Sequence, residues 1–442
     1  MRPHVALPVT LLLLALSVTV GLAACGDDGG SDGELTCDPT ERPVVLVHGL
    51  LAASDTWQRQ ALRFRANGYC DTHVVALDWN TFAQDGAEAQ LDALVDATLA
   101  ATGATQVDLV GHSAGGGLGY RYLADPVRAA KVAHYVHCAS GQTDPPAPAG
   151  PAGAPVPTLN LWSDGDTVVT TGAMDVAGVT DVQTPGEDHY QVATSAASFT
   201  AMWSFLHDGL PTPTTTPDER GATLAGKALT LGENAPVAGG EVRIWEVDAA
   251  TAARTTAAPL ATFAVGADGA WGPFEATRDA RYELVLVDPN AARPVHYYTE
   301  GVRGVRRFTV LRSFPAEGLV AALLANIPFD DAHAVAIVFS SSQAVVHGRD
   351  TLTFDDEDLA TEVLAAPEIT AIAYFLFDEG TDQVSSGPTD TFSALVPFFL
   401  DAVDRYLPAS TEVVSVVTFD GREIRLPHWP SDTAGPVVAL FD

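Results

Sequence analysis

The sequence predicts a two-part protein, in which a mostly parallel sheet with helices on both faces is followed by an all-β, sandwich-like region. Over residues 42–210, short apolar runs of strand character alternate with helix-like segments, the order that builds parallel βαβ units. A proline- and threonine-rich run at 211–217 interrupts this pattern. Beyond it, short alternating segments are separated by turn residues, which indicates an all-β architecture.

Within the α/β region (residues 42–210), apolar periodicity assigns the individual elements. Strands are predicted at 43–47, 72–78, 107–110, 131–139 and 157–162. Helices are predicted at 57–67, 86–102, 118–123 and 195–206. These elements form a single α/β domain.

The rest of the chain is predicted to be rich in β-strands and is called here the β region (residues 220–442). After a linker at 211–219, we predict a β-sandwich domain at 220–312 and a further β-rich domain at 313–442. One helix is predicted around 391–406. Whether residues 313–442 form one unit or two stays open.

The charge balance is strongly acidic, with 56 acidic and 23 basic residues and a net charge of −33. Such a surface repels nucleic acid and anionic membranes, so neither is expected as a direct partner. Solubility explains this charge better than recognition of a cationic partner does.

The first 25 residues have the pattern of an export signal, with Arg2 followed by an apolar run too short to span a membrane comfortably. The run ends in Leu22-Ala23-Ala24-Cys25, which resembles the lipobox of bacterial lipoproteins. The resemblance implies that Cys25 is lipid-modified and anchors the protein to the cell envelope. Ordinary cleavage at a small-residue site is the alternative, and residues 26–41 are predicted to form an acidic, flexible tether.

Three further cysteines follow Cys25. Cys37 and Cys70 each precede a predicted strand and could form a disulfide in an oxidising compartment. Cys138 lies in an apolar run and is predicted to be a buried free thiol. Their spacing matches no metal site.

The stretch Val107-Asp-Leu-Val-Gly-His-Ser-Ala-Gly-Gly116 runs from an apolar strand into Gly-x-Ser-x-Gly. This motif forms the sharp turn that lifts a serine hydroxyl above a sheet edge, so Ser113 is the candidate nucleophile. The backbone N–H of Ala114 is then placed to bind an oxyanion. His112 is expected to point elsewhere.

A serine nucleophile needs a base, and the base needs an orienting acid further along the chain. Asp166 follows the predicted strand at 157–162 and is the candidate acid, with Asp164 as its rival. His189 lies in a turn-rich loop before the last predicted helix and is the candidate base. The other histidines lack this order and loop setting.

The first predicted strand ends in His48-Gly49, a usual setting for a second oxyanion donor. The backbone N–H of Leu50 is therefore assigned beside that of Ala114.

Taken together, these motifs resemble the α/β-hydrolase fold, and specifically small bacterial lipases. The segments that carry the resemblance are Arg42–Leu50, Gln60–Tyr69 and Arg128–His134, which are similar to a two-domain lipase family, known also in archaea, with a C-terminal β-domain. Some of these lipases take their acid from the preceding strand, where this chain has Ala139-Ser140-Gly141, and this favours Asp166. The short interval Trp79–Asp85 leaves no room for a long lid.

We therefore expect an exported serine hydrolase that cleaves carboxylic esters, with acylglycerols as the leading substrate, as in a triacylglycerol lipase or carboxylesterase. No metal or organic cofactor is required for this chemistry. A polyester or other apolar ester is the alternative substrate. A surface binding lipoprotein acting through its β region is the alternative function, and the oligomeric state does not follow from the sequence.

Overall fold

The structure is a computed structural model that describes residues 35–141, 155–174, 178–217, 219, 221–392 and 398–442. The predicted signal peptide, Cys25 and most of the tether lie outside the described residues. No helix among the described residues is long and apolar enough to cross a membrane.

Six strands of the α/β region form one parallel sheet, in which helices make several of the crossovers that parallel strands require. The strands are β1 (Val44–Val47), β2 (Val74–Leu77), β3 (Val107–His112), β4 (Val132–Cys138), β5 (Thr158–Trp162) and β6 (Val179–Gln183). The helices are α1 (Gln58–Ala66), α2 (Ala87–Thr102), α3 (Ala114–Leu123), α4 (Pro126–Ala129), α5 (Gln191–Thr194) and α6 (Ala196–Leu206). The strand order is β2-β1-β3-β4-β5-β6. The predicted parallel sheet is confirmed, with β6 as an additional edge strand.

Helices cover both faces of this sheet because alternate residues of each strand point to opposite sides. Val45 and Val47 of β1 share a buried cluster with side chains of α2 and α3. Val44 and Leu46 share another with side chains of α1 and α6. The parallel arrangement places the loops after β1, β3, β5 and β6 at one edge, here called the carboxyl edge.

The β region consists of sixteen further strands and one short helix among the described residues. The strands are β7 (Ala222–Thr230), β8 (Glu241–Val247), β9 (Ala261–Ala264), β10 (Ala270–Ala276), β11 (Arg281–Val287), β12 (Val295–Thr299), β13 (Gly304–Ser313), β14 (Ala336–Ser340), β15 (Leu352–Phe354), β16 (Glu357–Asp358), β17 (Ala373–Phe377), β18 (Gly387–Thr389), β19 (Leu400–Asp404), β20 (Ser410–Phe419), β21 (Arg422–His428) and β22 (Val437–Phe441). The helix is α7 (Leu319–Leu324).

These strands form three sheets, of which the largest has the order β18-β19-β17-β14-β22-β12-β11-β8-β9. The smaller sheets have the orders β10-β7-β13 and β16-β15-β20-β21. In the nine-stranded sheet, β22 pairs with both β12 and β14, so residues from 220–312 and from 313–442 share one sheet. The exact domain boundaries within the β region remain a prediction.

The helix predicted around 391–406 is wrong for the part that the structure describes. Leu400–Asp404 forms strand β19, which pairs with β17 and β18. A short apolar run is compatible with either helix or strand, and here the two neighbouring strands decide in favour of the sheet.

Cys37 and Cys70 are joined by a disulfide, which ties the segment before β1 to the segment before β2. Cys138, at the end of β4, is a buried free thiol, as predicted.

The β region packs directly on the carboxyl edge of the α/β region. Leu51 and Tyr190 from that edge belong to the same buried cluster as Phe399 and Leu400. An ion pair is buried in the same interface: Arg312 donates to both carboxylate oxygens of Asp55, at 2.7 and 2.9 Å. The two regions therefore share one buried cluster and one bidentate ion pair, between Arg312 and Asp55.

Replacing Asp55 with Asn should leave the Arg312 guanidinium buried without a counter-charge and lower the free energy of unfolding by about 3–5 kcal/mol. Denaturant unfolding measures this loss. The double variant Asp55→Leu/Arg312→Met should be less destabilised, because no charge is left unpaired. Asp432→Asn, which breaks the partly exposed pair with Arg293, is the control and should cost less than about 1 kcal/mol. Equal small losses for Asp55→Asn and Asp432→Asn would contradict this role.

Candidate active site

Ser113 lies in the sharp turn between β3 and α3, with φ 54° and ψ −121°. A residue with a side chain is strained in this conformation, and such strain is typical of functional sites. The turn leaves Ser113 partly accessible at the carboxyl edge, while the strand before it is buried.

The glycines around Ser113 are required by close backbone contacts. A Cβ atom on Gly111 would lie 2.5 Å from the carbonyl oxygen of Gly115, and one on Gly115 would lie 2.4 Å from that of Val47. A Cβ atom on Gly49 would lie 2.8 Å from Cβ of Ser113. Helix α3 therefore sits directly against the end of β1, and the His48-Gly49-Leu50 turn sits directly against the serine.

The two predicted oxyanion donors both flank this contact. Ala114 is the first residue of α3, so its N–H has no acceptor within the helix. Leu50 follows Gly49, which is in contact distance of Ser113. The structure thus brings both backbone segments to the serine.

The side chain of His48 holds the turn that carries Leu50. Its Nδ1–H donates to the carbonyl oxygen of Gly49 at 2.8 Å, and its Nε2 accepts from the Trp79 N–H at 3.3 Å. Burial lowers the pKa of His48, which favours this neutral form. Asn234 of the β region donates to the carbonyl oxygens of Ala52 and Trp79, at 2.8 and 3.1 Å. Sequence reasoning found the His-Gly motif but not these supporting contacts.

Asp166 and His189 are in direct contact at the carboxyl edge. His189 Nδ1–H donates to Asp166 Oδ2 at 2.9 Å, and both side chains are almost completely buried. The other oxygen of Asp166 accepts the backbone N–H groups of Val168 and Val169, each at 2.9 Å. His189 Nε2 is buried and has no hydrogen-bond partner among the described residues, Ser113 included.

Asp164 does not contact His189 in this way. It is exposed, and its carboxylate accepts the N–H of Gly186 at 2.9 Å. That hydrogen bond lowers the pKa of Asp164. Of the two candidate acids, Asp166 contacts the candidate base His189, whereas Asp164 binds the backbone of Gly186 in the same loop.

His112 lies against His189, in contrast to the expectation that it points elsewhere. The two ring centroids are 4.7 Å apart, and His112 Nε2–H donates to the backbone oxygen of His189 at 2.8 Å. Burial, together with the neighbouring His189, lowers the pKa of His112 well below its ordinary value. A neutral His112, the residue before Ser113, therefore links the Ser113 turn to the loop that carries His189.

An apolar pocket lies between the α/β region and the β region, against the segment that follows β1. Leu51, next to the proposed oxyanion donor, and Phe82 line one side. The β region supplies the other side, including Leu323, Ile372, Ala373 and Leu400. Apart from Arg312 and a tyrosine, every side chain that lines the pocket is apolar.

Family models match three parts of the chain. The α/β hydrolase fold model matches residues 42–154, the lipase C-terminal domain model matches residues 220–314, and a further C-terminal domain model matches residues 339–442. Each match lies within the region for which the sequence predicted the corresponding architecture.

Two triacylglycerol lipases are similar to part of the chain. The protein from Burkholderia plantarii is 34% identical over 124 residues, which cover 26% of this chain and 33% of the relative. The protein from Pseudarthrobacter phenanthrenivorans is 39% identical over 95 residues, which cover 19% of this chain and 28% of the relative. The chain thus spans about a third of the length of these curated relatives.

Among solved structures, an esterase from Rhodococcus sp. ECU1013 is 18% identical, with a TM-score of 0.30, and the match covers 39% of this chain and 92% of that one. Aspergillus fumigatus lipase B is 15% identical, with a TM-score of 0.31, and covers 39% of this chain and 54% of that one. The family matches bear out the resemblance found in the sequence: residues 42–154 match the α/β hydrolase fold and residues 220–314 match a lipase C-terminal domain.

Proposed function

We propose that this protein is a serine hydrolase of carboxylic esters, with acylglycerols as its leading substrate class. The observation that carries the proposal is the buried Asp166–His189 hydrogen bond, at the same sheet edge as the strained Ser113. Among the described residues, His189 Nε2 has no hydrogen-bond partner. Nucleophile, base and acid follow in the chain order that this fold uses.

In the proposed reaction, Ser113 Oγ attacks the ester carbonyl while His189 Nε2 takes its proton and then delivers it to the leaving alcohol. Asp166 keeps the imidazole in the Nδ1–H tautomer and stabilises the imidazolium that forms. The N–H groups of Leu50 and Ala114 bind the oxyanion, each contributing on the order of 3 kcal/mol. Water then hydrolyses the acyl-enzyme by the same proton transfers.

The apolar pocket supports an acyl chain as the part of the substrate that is recognised. It is lined by Leu51, which follows the proposed oxyanion donor Leu50 in sequence, and by Ile372, Ala373 and Leu400 of the β region. A hydrocarbon chain gains about 0.8 kcal/mol for each methylene that it buries in such a lining.

The purified protein should hydrolyse a chain-length series of p-nitrophenyl and glycerol esters, and Ser113→Ala should lower kcat by about 10⁴-fold or more. Turnover of long-chain glycerol esters would identify a lipase, whereas an optimum at short chains would identify an esterase. Covalent labelling by a fluorophosphonate should also depend on Ser113. If wild type and Ser113→Ala are equally inactive on glycerol, p-nitrophenyl and polyester substrates, the proposed function is wrong.

Replacing Asp166 with Asn should lower kcat by about 10⁴-fold, because the amide no longer selects the tautomer that the base needs. Asp164→Asn is the matched control and should keep kcat within about threefold, since an exposed asparagine can still accept the Gly186 N–H. Steady-state kinetics on one p-nitrophenyl ester compares the two. A larger loss for Asp164→Asn would reverse the assignment of the acid.

We also propose that the protein is exported and anchored to the bacterial cell envelope through a lipid on Cys25. The support is the signal-like run and the lipobox in the sequence, since both lie outside the described residues. In a bacterial host, wild type should incorporate labelled palmitate and partition into detergent, because two acyl chains give stable anchoring. Cys25→Ser should abolish both properties. Equal labelling of the two proteins would exclude this anchor.

A further inference from the structure

The loop that carries His189 is held by a carboxylate next to it in sequence. Asp188 Oδ1 accepts the N–H groups of Tyr190 and Gln191, at 2.8 and 2.9 Å, so it fixes the backbone on the C-terminal side of His189, where α5 begins. The side chain of Asp188 is buried. A buried carboxylate needs a compensating partner, and no basic residue precedes it in its own loop.

That partner comes from the β region. Nη2 of Arg349 lies 2.8 Å from Asp188 Oδ2, and Nη1 of the same guanidinium donates to Gln191 Oε1 at 2.8 Å. Asp350 accepts from Nε and from the same Nη2 of Arg349, at 2.7–3.0 Å, and fixes the plane of the guanidinium. Burial raises the pKa of Asp188, and the charge of Arg349 opposes this shift.

A second group of the β region contacts the base itself. The ring of Phe399 stacks on the imidazole of His189, with centroids 6.1 Å apart and planes 15° from parallel, and it meets Tyr190 edge-on at 5.6 Å. Phe399 is buried, and its φ of 76° is strained for a residue of this size. The backbone N–H of Phe399 donates to the carbonyl oxygen of Ile369, and its carbonyl oxygen accepts from the N–H groups of Ile372 and Ala373. The segment that leads into β17 therefore holds the strained residue in place.

We propose that the β region positions the general base, with Arg349 acting through Asp188 and Phe399 acting directly on the imidazole. We call this set of three residues the base clamp. Arg349 and Phe399 are positioning residues for the reaction, and the inference rests on the proposed role of His189. The β region would then serve the reaction in two ways: it positions His189, and it lines the acyl pocket.

The clamp should affect the chemical step more than substrate binding. A catalytic side chain must be held within about 0.5 Å and 10–20° of its productive geometry, and a misplacement of about 1 Å can cost about 100-fold in rate. Neither Arg349 nor Phe399 lines the apolar pocket. Loss of the clamp should therefore lower kcat and leave KM nearly unchanged.

The test is a double-mutant cycle on Arg349→Gln, Asp188→Asn and the double variant, with kcat and KM for a p-nitrophenyl ester as the readout. Arg349→Gln should lower kcat by about 10–100-fold, with KM within about twofold. If Arg349 acts through Asp188, the double variant should be no worse than the more impaired single variant, because both substitutions break one coupled unit. Arg349→Lys should recover much of the lost rate.

Arg293→Gln is the matched control, because the Arg293 side chain is 27% exposed, against 30% for Arg349, and pairs with Asp432 elsewhere in the β region. It should leave kcat and KM unchanged. Thermal unfolding of every variant shows whether the assays contain folded protein. Strictly multiplicative kcat losses in the cycle, or the same loss for Arg293→Gln as for Arg349→Gln, would overturn the proposal.

Phe399→Leu tests the second half of the clamp, with Phe354→Leu as its control, because Phe354 is equally buried but belongs to a different cluster of the β region. Only Phe399→Leu should slow both ester turnover and the reaction of Ser113 with a small fluorophosphonate that does not fill the acyl pocket. A rate equal to that of Phe354→Leu would remove Phe399 from the clamp.

A spectroscopic readout separates this inference from the proposed function. The Nδ1 proton of His189, hydrogen-bonded to Asp166, should give a low-field proton NMR signal in the wild type. Loss of this signal in Asp166→Asn would assign it to that proton. Arg349→Gln should shift or broaden that signal even if the protein turns over no ester. An unchanged signal in a folded Arg349→Gln protein would refute the clamp, whereas an inactive wild type with the expected signal change would refute only the ester-hydrolase function.

Discussion

The close approach of α3 to the end of β1 determines the geometry of the whole carboxyl edge. Gly115 is packed so closely on Val47 that no side chain fits there, and Gly49 is packed as closely on Ser113. This contact forces Ser113 into its strained conformation and at the same time sets the distance between the serine and the Leu50 backbone. The turns that carry Ser113 and Leu50 are therefore held by these two contacts, and the side chains of His48 and His112 bind the neighbouring backbone.

A second constraint follows, because the loops at this edge are covered by the β region instead of by water. Buried loops contain backbone polar groups and charged side chains that need hydrogen-bond or ion-pair partners. Local secondary structure does not supply these partners. The β region provides these partners through individual side chains. Asn234 donates to the carbonyl oxygens of Ala52 and Trp79, Arg312 pairs with Asp55, and Arg349 pairs with Asp188. Asn234 and Arg312 both contact the segment between β1 and α1, and Arg349 contacts the loop that carries His189, so the docking of the two regions and the order of the edge depend on the same contacts.

The sequence predicts much of this arrangement because its strongest signals are local. Ser113 stands in a five-residue motif, and Asp166 and His189 follow in the expected order after it, so the structure brings the latter two together. Strand β6 is not predicted because it is an edge strand with no fully buried residue, and its apolar pattern is weak. The helix expected around 391–406 fails because β17 and β18 are sheet partners that the local pattern does not contain. Arg349 and Phe399 carry no motif: they come from far along the chain, and only the fold brings them to His189.

This dependence limits what the α/β region could do without its C-terminal partner. Leu51 and Tyr190 are buried mainly by residues of the β region, and most of the lining of the apolar pocket comes from that region. Removing the β region would expose these side chains to water and leave Asp55 and Asp188 without their counter-charges. The parallel sheet and the Ser113 turn rest on contacts within the α/β region and do not need the β region. The loop that carries His189 does depend on contacts from the β region. If His189 is the base, as we propose, the β region is part of the catalytic unit.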